Sequence, residues 1–134
     1  MPSSEKMSAV TGRQYVAAAK IPLGFADLPT AGDYLVTDLP EGAVVTSGWV
    51  YTTEAFDATA TLTLTVADAA DTTIDTLSGA LDVTAVGKDD LVPTGVELPT
   101  AGEVKVTTSV DLTQGAGYLY LEYVVDGRSH FSEG

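Results

Sequence analysis

Alternation of apolar and polar residues is the dominant pattern of the chain. In "TATLTLTV", Ala60, Leu62, Leu64 and Val66 fall on one face and Thr59, Thr61, Thr63 and Thr65 on the other. That period of two predicts a half-buried strand with a wet threonine face. "EVKVTTSV" repeats the device, with Val104, Val106, Thr108 and Val110 inward and Lys105 outward. Strands polar on one side belong to antiparallel sheets, because strands covered on both faces read as continuous apolar runs. "AVVTSGWVYTT" and "QYVAAAKIPL" are more apolar on both faces, which predicts central positions in a sheet. The last strand, "YLYLEYVV", places Leu119, Leu121, Tyr123 and Val125 on one face and Tyr118, Tyr120, Glu122 and Val124 on the other. Neither face is polar. It either sits mid-sandwich under a loop or turns Tyr118 and Tyr120 toward another subunit, and the enrichment of tyrosine at interface cores favours the second.

Turn signals punctuate these runs at intervals of about 8 to 12 residues, the spacing of an all-β sandwich or barrel. "LPTAG" occurs twice, at 28–32 and 98–102, each time running into an alternating stretch. Proline fixes φ for a turn and the glycine three residues on permits a left-handed backbone, so each copy predicts a turn feeding a strand. The pentapeptide is not a surface-anchoring signal, since alanine holds the fourth place and no apolar segment with a basic tail follows. Only "SGALDVTAVGKDD" has helical flavour, enough for one turn before Gly87. The expected fold is all-β: a two-sheet sandwich of seven or eight strands with jelly-roll connections and extended N- and C-terminal arms.

Composition adds boundaries. A chain of 134 residues with 45% hydrophobic and 19% charged residues is one folded domain. It contains no cysteine, which removes disulfides, thiolate metal sites and cysteine nucleophiles together. No apolar core follows Lys6 and no run approaches the ~20 apolar residues of a membrane span, so a soluble protein without a cleavable leader or membrane partner is expected. Nineteen acidic against six basic residues leave a net charge of −13, which repels phosphate backbones and argues against nucleic acid. The imbalance is uneven. Residues 1–26 hold Lys6, Arg13 and Lys20 against Glu5, a net of +2, while the rest carries −15. The chain therefore divides into a net-basic arm with the first strand (1–26), an acidic sandwich core (27–126) and a tail (127–134), and the basic segment is suited to lie on an acidic neighbour.

Reactive chemistry is sparse. The only histidine, His130, lies in the tail "DGRSHFSEG", a poor foundation for a Ser-His-Asp constellation. No carboxylate pair stands out as a glycosidase couple. Asp68, Asp71 and Asp75, with Asp89 and Asp90 in "KDD", match neither the spacing nor the glycine of a calcium loop, so they read as loop decoration and no metal or other cofactor is expected. No phosphate-cradling glycine motif occurs. An enzyme is the losing hypothesis.

Four segments in order, "LPEGAVVTSGWVYTTEAFD", "TLTLTVADAAD", "LVPTG" and "AGYLYLEYVVDGRS", resemble a family of small tailed-bacteriophage capsid decoration, or cement, proteins over residues 39–128. The family's usual Val-Gly-Asp-Ala stands here as Val66-Ala67-Asp68-Ala69, so the shape of that turn is open. The resemblance implies a β-sandwich on the outer surface of the virion that forms homotrimers at threefold positions and clamps the major capsid protein lattice. It transfers no catalytic residues, only structural positions: Gly48, Phe56, Asp57, Tyr123, Gly127 and Arg128. Contacts with sister subunits or the capsid are expected from Lys6, Arg13, Lys20, Tyr118, Tyr120, Arg128 and Phe131. The competing class is a carbohydrate- or receptor-binding sandwich module. Sugar platforms need exposed aromatics, and the single tryptophan, Trp49, lies mid-strand, where it reads as core or interface filler.

Overall fold

A computed structural model describes residues 16–125. Nine strands follow one another: β1 (Val16–Gly24), β2 (Gly32–Leu39), β3 (Ala43–Glu54), β4 (Thr61–Ala67), β5 (Thr73–Thr76), β6 (Leu81–Asp82), β7 (Gly87–Asp90), β8 (Gly102–Thr108) and β9 (Ala116–Val125). They form two antiparallel sheets. One runs β1-β9-β3-β7; the other runs β2-β8-β4-β5, with the two-residue β6 also paired to β4. The pairings nest: β1 with β9, β2 with β8, β3 with β7, and β4 with β5. A long hairpin rolled so that β9 also meets β3, and β8 also meets β4, has the connections of a jelly roll. Eight strands make that roll; β6 is the ninth, too short for its two residues to carry a pattern.

The core fills the space between the sheets as the alternation predicts. Leu62, Leu64 and Val66 from β4 and Val104 and Val106 from β8 are fully enclosed, facing Val45, Val50, Leu119 and Leu121 from the other sheet. β3 is apolar on both faces for a reason that simple alternation hides. Opposite β9 the register steps from Ser47 to Val45, leaving Thr46 as an extra residue, a β-bulge. Inward positions therefore change from Ala43 and Val45 to Gly48, Val50 and Thr52, and Trp49 and Tyr51 turn outward.

Three expectations are corrected. β3 is central, but the described part of "QYVAAAKIPL" lies in β1, which among the described residues is an edge strand paired with β9 alone. Its alanines are small rather than core-forming, and Pro22 lies within it, as suits an edge. The helical turn expected in "SGALDVTAVGKDD" does not form. Asp82 Oδ1 accepts hydrogen bonds from the Thr84 amide (2.9 Å) and hydroxyl (2.6 Å), a local turn that competes with helix. "KDD" lies in β7, the opposite edge of the same sheet, and is not a loop. A lysine and two aspartates on an open edge discourage pairing with another chain.

The two LPTAG copies do form turns, and their shared leucine anchors each in the core: Leu28 and Leu98 are both 1% exposed. They feed β2 and β8, which pair antiparallel with Leu39 opposite Gly102 and Gly32 opposite Thr108, so the two turns lie at opposite ends of one strand pair. Their glycines serve different purposes. Gly32 has φ of 142°, whereas a Cβ on Gly102 would press on Val66, Ala67 and Leu98.

Candidate functional site

The outward face of the four-stranded sheet carries a block of four aromatic rings. Antiparallel register sets Pro22, Tyr118, Tyr51 and Lys88 in one row, and Lys20, Tyr120, Trp49 and Asp90 in the next. Tyr120 stacks on Trp49 with ring centroids 4.4 Å apart, and Tyr118 on Tyr51 at 5.7 Å. The ends of the block are closed by ammonium groups. Lys88 Nζ lies over Trp49 at 5.0 Å and Lys20 Nζ over Tyr118 at 4.6 Å, each on the ring face turned away from its stacking partner. Trp49 and Tyr118 thus have both faces taken up, by a neighbouring ring and a lysine, while Tyr51 and Tyr120 are each covered on one face by their stacking partner.

A polar row borders the block. The Tyr120 hydroxyl donates to Glu122 Oε2 at 2.6 Å and the Ser47 hydroxyl to Oε1 at 2.9 Å. The Tyr120 bond, then the Ser47 bond, hold the Glu122 carboxyl below its ordinary range against the opposing effect of desolvation. The same bond to Glu122, with burial, raises the Tyr120 hydroxyl. Lys88 also pairs with Asp90 at 3.4 Å.

Two glycines make this face possible. A Cβ on Gly48 would sit 2.5 Å from the Tyr120 carbonyl oxygen, and one on Gly117 2.3 Å from that of Tyr51. Each glycine immediately precedes a ring of the block, so close approach of β3 and β9 brings the rings into stacking range.

Chains of this fold occur in solved phage capsids. The chain matches one in the capsid of Ralstonia phage GP4 with a TM-score of 0.61 at 21% identity, covering 83% of this chain and 84% of that one. A chain of the cyanophage Pam1 capsid asymmetric unit matches with 0.57 at 18% identity over 93% and 92%. One from the acidic stable capsid of Helicobacter pylori bacteriophage KHP30 matches with 0.56 at 19% identity over 82% and 87%. No protein-family model matches the chain, and no curated protein does.

Among the expected contact residues, the structure brings Lys20, Tyr118 and Tyr120 together on the aromatic face. Lys6, Arg13, Arg128 and Phe131 lie outside the described residues, as do Gly127 and His130. Sequence reasoning missed Tyr51 and Lys88 and read Trp49 as filler. The i, i+2 spacing of Trp49 and Tyr51 puts them on one face, but that this face lies opposite Tyr120 and Tyr118 depends on the bulge at Thr46, which the sequence does not mark.

The structural positions carried over from the resemblance have visible roles. Phe56 is 2% exposed in the core, and Tyr123 packs against that core. Asp57 accepts hydrogen bonds from the Thr113 amide and hydroxyl and the Gln114 amide at 2.9–3.1 Å, tying two loops together. Desolvation works to raise its carboxyl, yet these bonds outweigh it and hold the group below the ordinary range.

The aspartates weighed as calcium ligands do not converge. Asp68 accepts from the Ala70 and Thr72 amides, Asp71 pairs with Lys105 at 2.7 Å, and buried Asp75 accepts from the Thr94 hydroxyl at 2.9 Å. Among the described residues no three His, Asp or Glu side chains are grouped to hold a metal. An open groove of about 560 Å³ between the "DLPEGA" turn and the second LPTAG copy is lined by Glu41, Gly42, Glu97, Leu98 and Pro99. It holds two carboxylates but no hydroxyl nucleophile or histidine.

Proposed function

We propose that this protein is a capsid decoration protein, which binds the assembled major capsid protein lattice from outside, as a trimer at threefold positions, and stabilises the head. The observation that carries the reading is the agreement of two independent lines. The ordered segments of residues 39–128 resemble decoration proteins, and the fold matches chains in three phage capsids over 82–93% of this chain. The physics of the role is preferential binding. A ligand that binds the closed lattice and not loose subunits stabilises the lattice by mass action. Trimerisation multiplies modest contacts from each copy through effective concentration. Strong acidity elsewhere on the chain disfavours aggregation of particles.

In this reading the chain contains no reactive centre and works through its surfaces: the Lys20, Tyr118 and Tyr120 face, with Lys6, Arg13, Arg128 and Phe131 near the termini. The carbohydrate-module alternative is disfavoured by the ring geometry, since sugars stack on open ring faces and the single tryptophan, Trp49, has one face on Tyr120 and the other under Lys88. Two measurements test the proposal. Light scattering of the purified chain is expected to give three times its 13.8 kDa mass. Sedimentation with phage shells made without the protein is expected to give saturable binding, and shells that bind none of it overturn the reading.

A further inference from the structure

The described residues carry three cations, Lys20, Lys88 and Lys105, against sixteen carboxylates. Two of the three belong to the aromatic face. Lys105 lies on the outward side of the other sheet, held by Asp71 at 2.7 Å and Asp33 at 3.8 Å. Of the carboxylates bordering the aromatic block, Asp90 is engaged by Lys88 and Glu122 by Tyr120 and Ser47, while exposed Glu54 lies one row beyond Tyr118 and Tyr51, opposite Ala116. Within the block itself the groups offered to a partner are mainly donors. Ring edges carry the positive lobe of the aromatic quadrupole, the two ammonium groups add full charge, and the Tyr51 and Tyr118 hydroxyls make no hydrogen bond among the described residues. On an otherwise acidic molecule this is the face complementary to acceptors.

Resting on the decoration reading, we infer that the face built by Lys20, Trp49, Tyr51, Lys88, Tyr118 and Tyr120 is where the protein seats on the shell. The shell surface that fits it is a protein surface presenting carboxylates and backbone carbonyls. A second copy of this chain fits less well. Its own acceptor-rich surface, with Asp33, Asp38, Asp71 and Glu103, is the outward side of the opposite sheet. Joining front to back would repeat without closing and build an open stack instead of a ring. Joining front to front would set donors against donors.

The single tryptophan lies in the block and reports on it directly. The experiment titrates the full chain onto shells made without it, following copies bound and acrylamide quenching of Trp49 emission. It compares the parent with a Lys20→Glu/Lys88→Glu variant and with Lys105→Glu on the opposite sheet, each first checked for an unchanged circular dichroism spectrum. The expected result is shielding of Trp49 on bound protein, affinity weaker by about tenfold or more in the double variant, and Lys105→Glu close to the parent. Bound parent whose Trp49 is quenched as in free protein, or equal losses for both variants, overturns this assignment while leaving the decoration reading standing. Parent that does not bind shells removes the decoration reading and this inference with it. A dimer mass for the free chain that the double variant abolishes assigns the face to copy-copy contact, and a Trp49 response to neutral hexasaccharides assigns it to sugars; either result overturns the inference.

Discussion

Gly48→Ala is the sharpest test of how the two central strands are packed. The added methyl would lie 2.5 Å from the Tyr120 carbonyl oxygen, 3.0 Å from Leu91 Cδ1 and 3.3 Å from Leu121 Cα. Two of those three atoms are backbone of β9, which is held on its far side by β1 and cannot swing away. Relief requires β3 and β9 to separate locally, weakening ladder hydrogen bonds worth about 1 kcal/mol each on top of an overpacking cost of about 1–3 kcal/mol. We expect a loss of about 2–4 kcal/mol, or about 8–16 °C in Tm for a domain of this size. Thermal melts by circular dichroism measure it, with Trp49 emission reporting whether the ring stack loosens first. Gly79→Ala is the control, because a Cβ there meets nothing within 4 Å. It should leave Tm unchanged or raise it slightly, by restricting the unfolded chain. A Gly48→Ala protein melting within about 3 °C of the parent would show that the strands are not packed as described.

Phe56→Ala should cost about 3–5 kcal/mol in denaturant unfolding, since its 2%-exposed ring is also the surface against which Gly115 closes. Glu103 has a raised carboxyl pKa, through desolvation first and then the neighbouring Asp38, so its stabilising effect is lost as pH rises through the folded value. Glu103→Gln should therefore raise Tm at pH 7, with the gain vanishing below the unfolded carboxyl value of about 4.3. Asp57 has the opposite sign, because its lowered pKa gives stability above the unfolded value that disappears as pH falls through the folded one. Asp57→Asn should lower Tm at pH 7, and melts across an acid series should show the deficit closing at low pH.

The architecture was legible where each strand had one wet face. β4 and β8 read correctly because polar residues, threonines in β4 and Glu103, Lys105 and Thr107 in β8, alternate with aliphatics, and the repeated pentapeptide marked two turns that do exist. β1 misled because alanine counts as apolar whether or not anything covers it. β7 was hidden by three consecutive charges, which suit an edge and resemble a loop. The candidate site was half visible. Tyr118 and Tyr120 declared themselves through a strand with no polar side, but their partners on β3 were masked by the bulge at Thr46, an event of backbone register that leaves no mark in composition. Lys88 could be placed only once β7 was known to lie beside β3.

Nesting the first strand against the last has a consequence for biogenesis. Because β9 lies between β1 and β3, the four-stranded sheet has no centre until residues 116–125 have left the ribosome. Until then β1 and β3 lack the neighbour that joins them, and the apolar faces of Val45, Val50 and Leu23 stay open to solvent or to a chaperone. Closing of the four-stranded sheet therefore follows synthesis of residues 116–125.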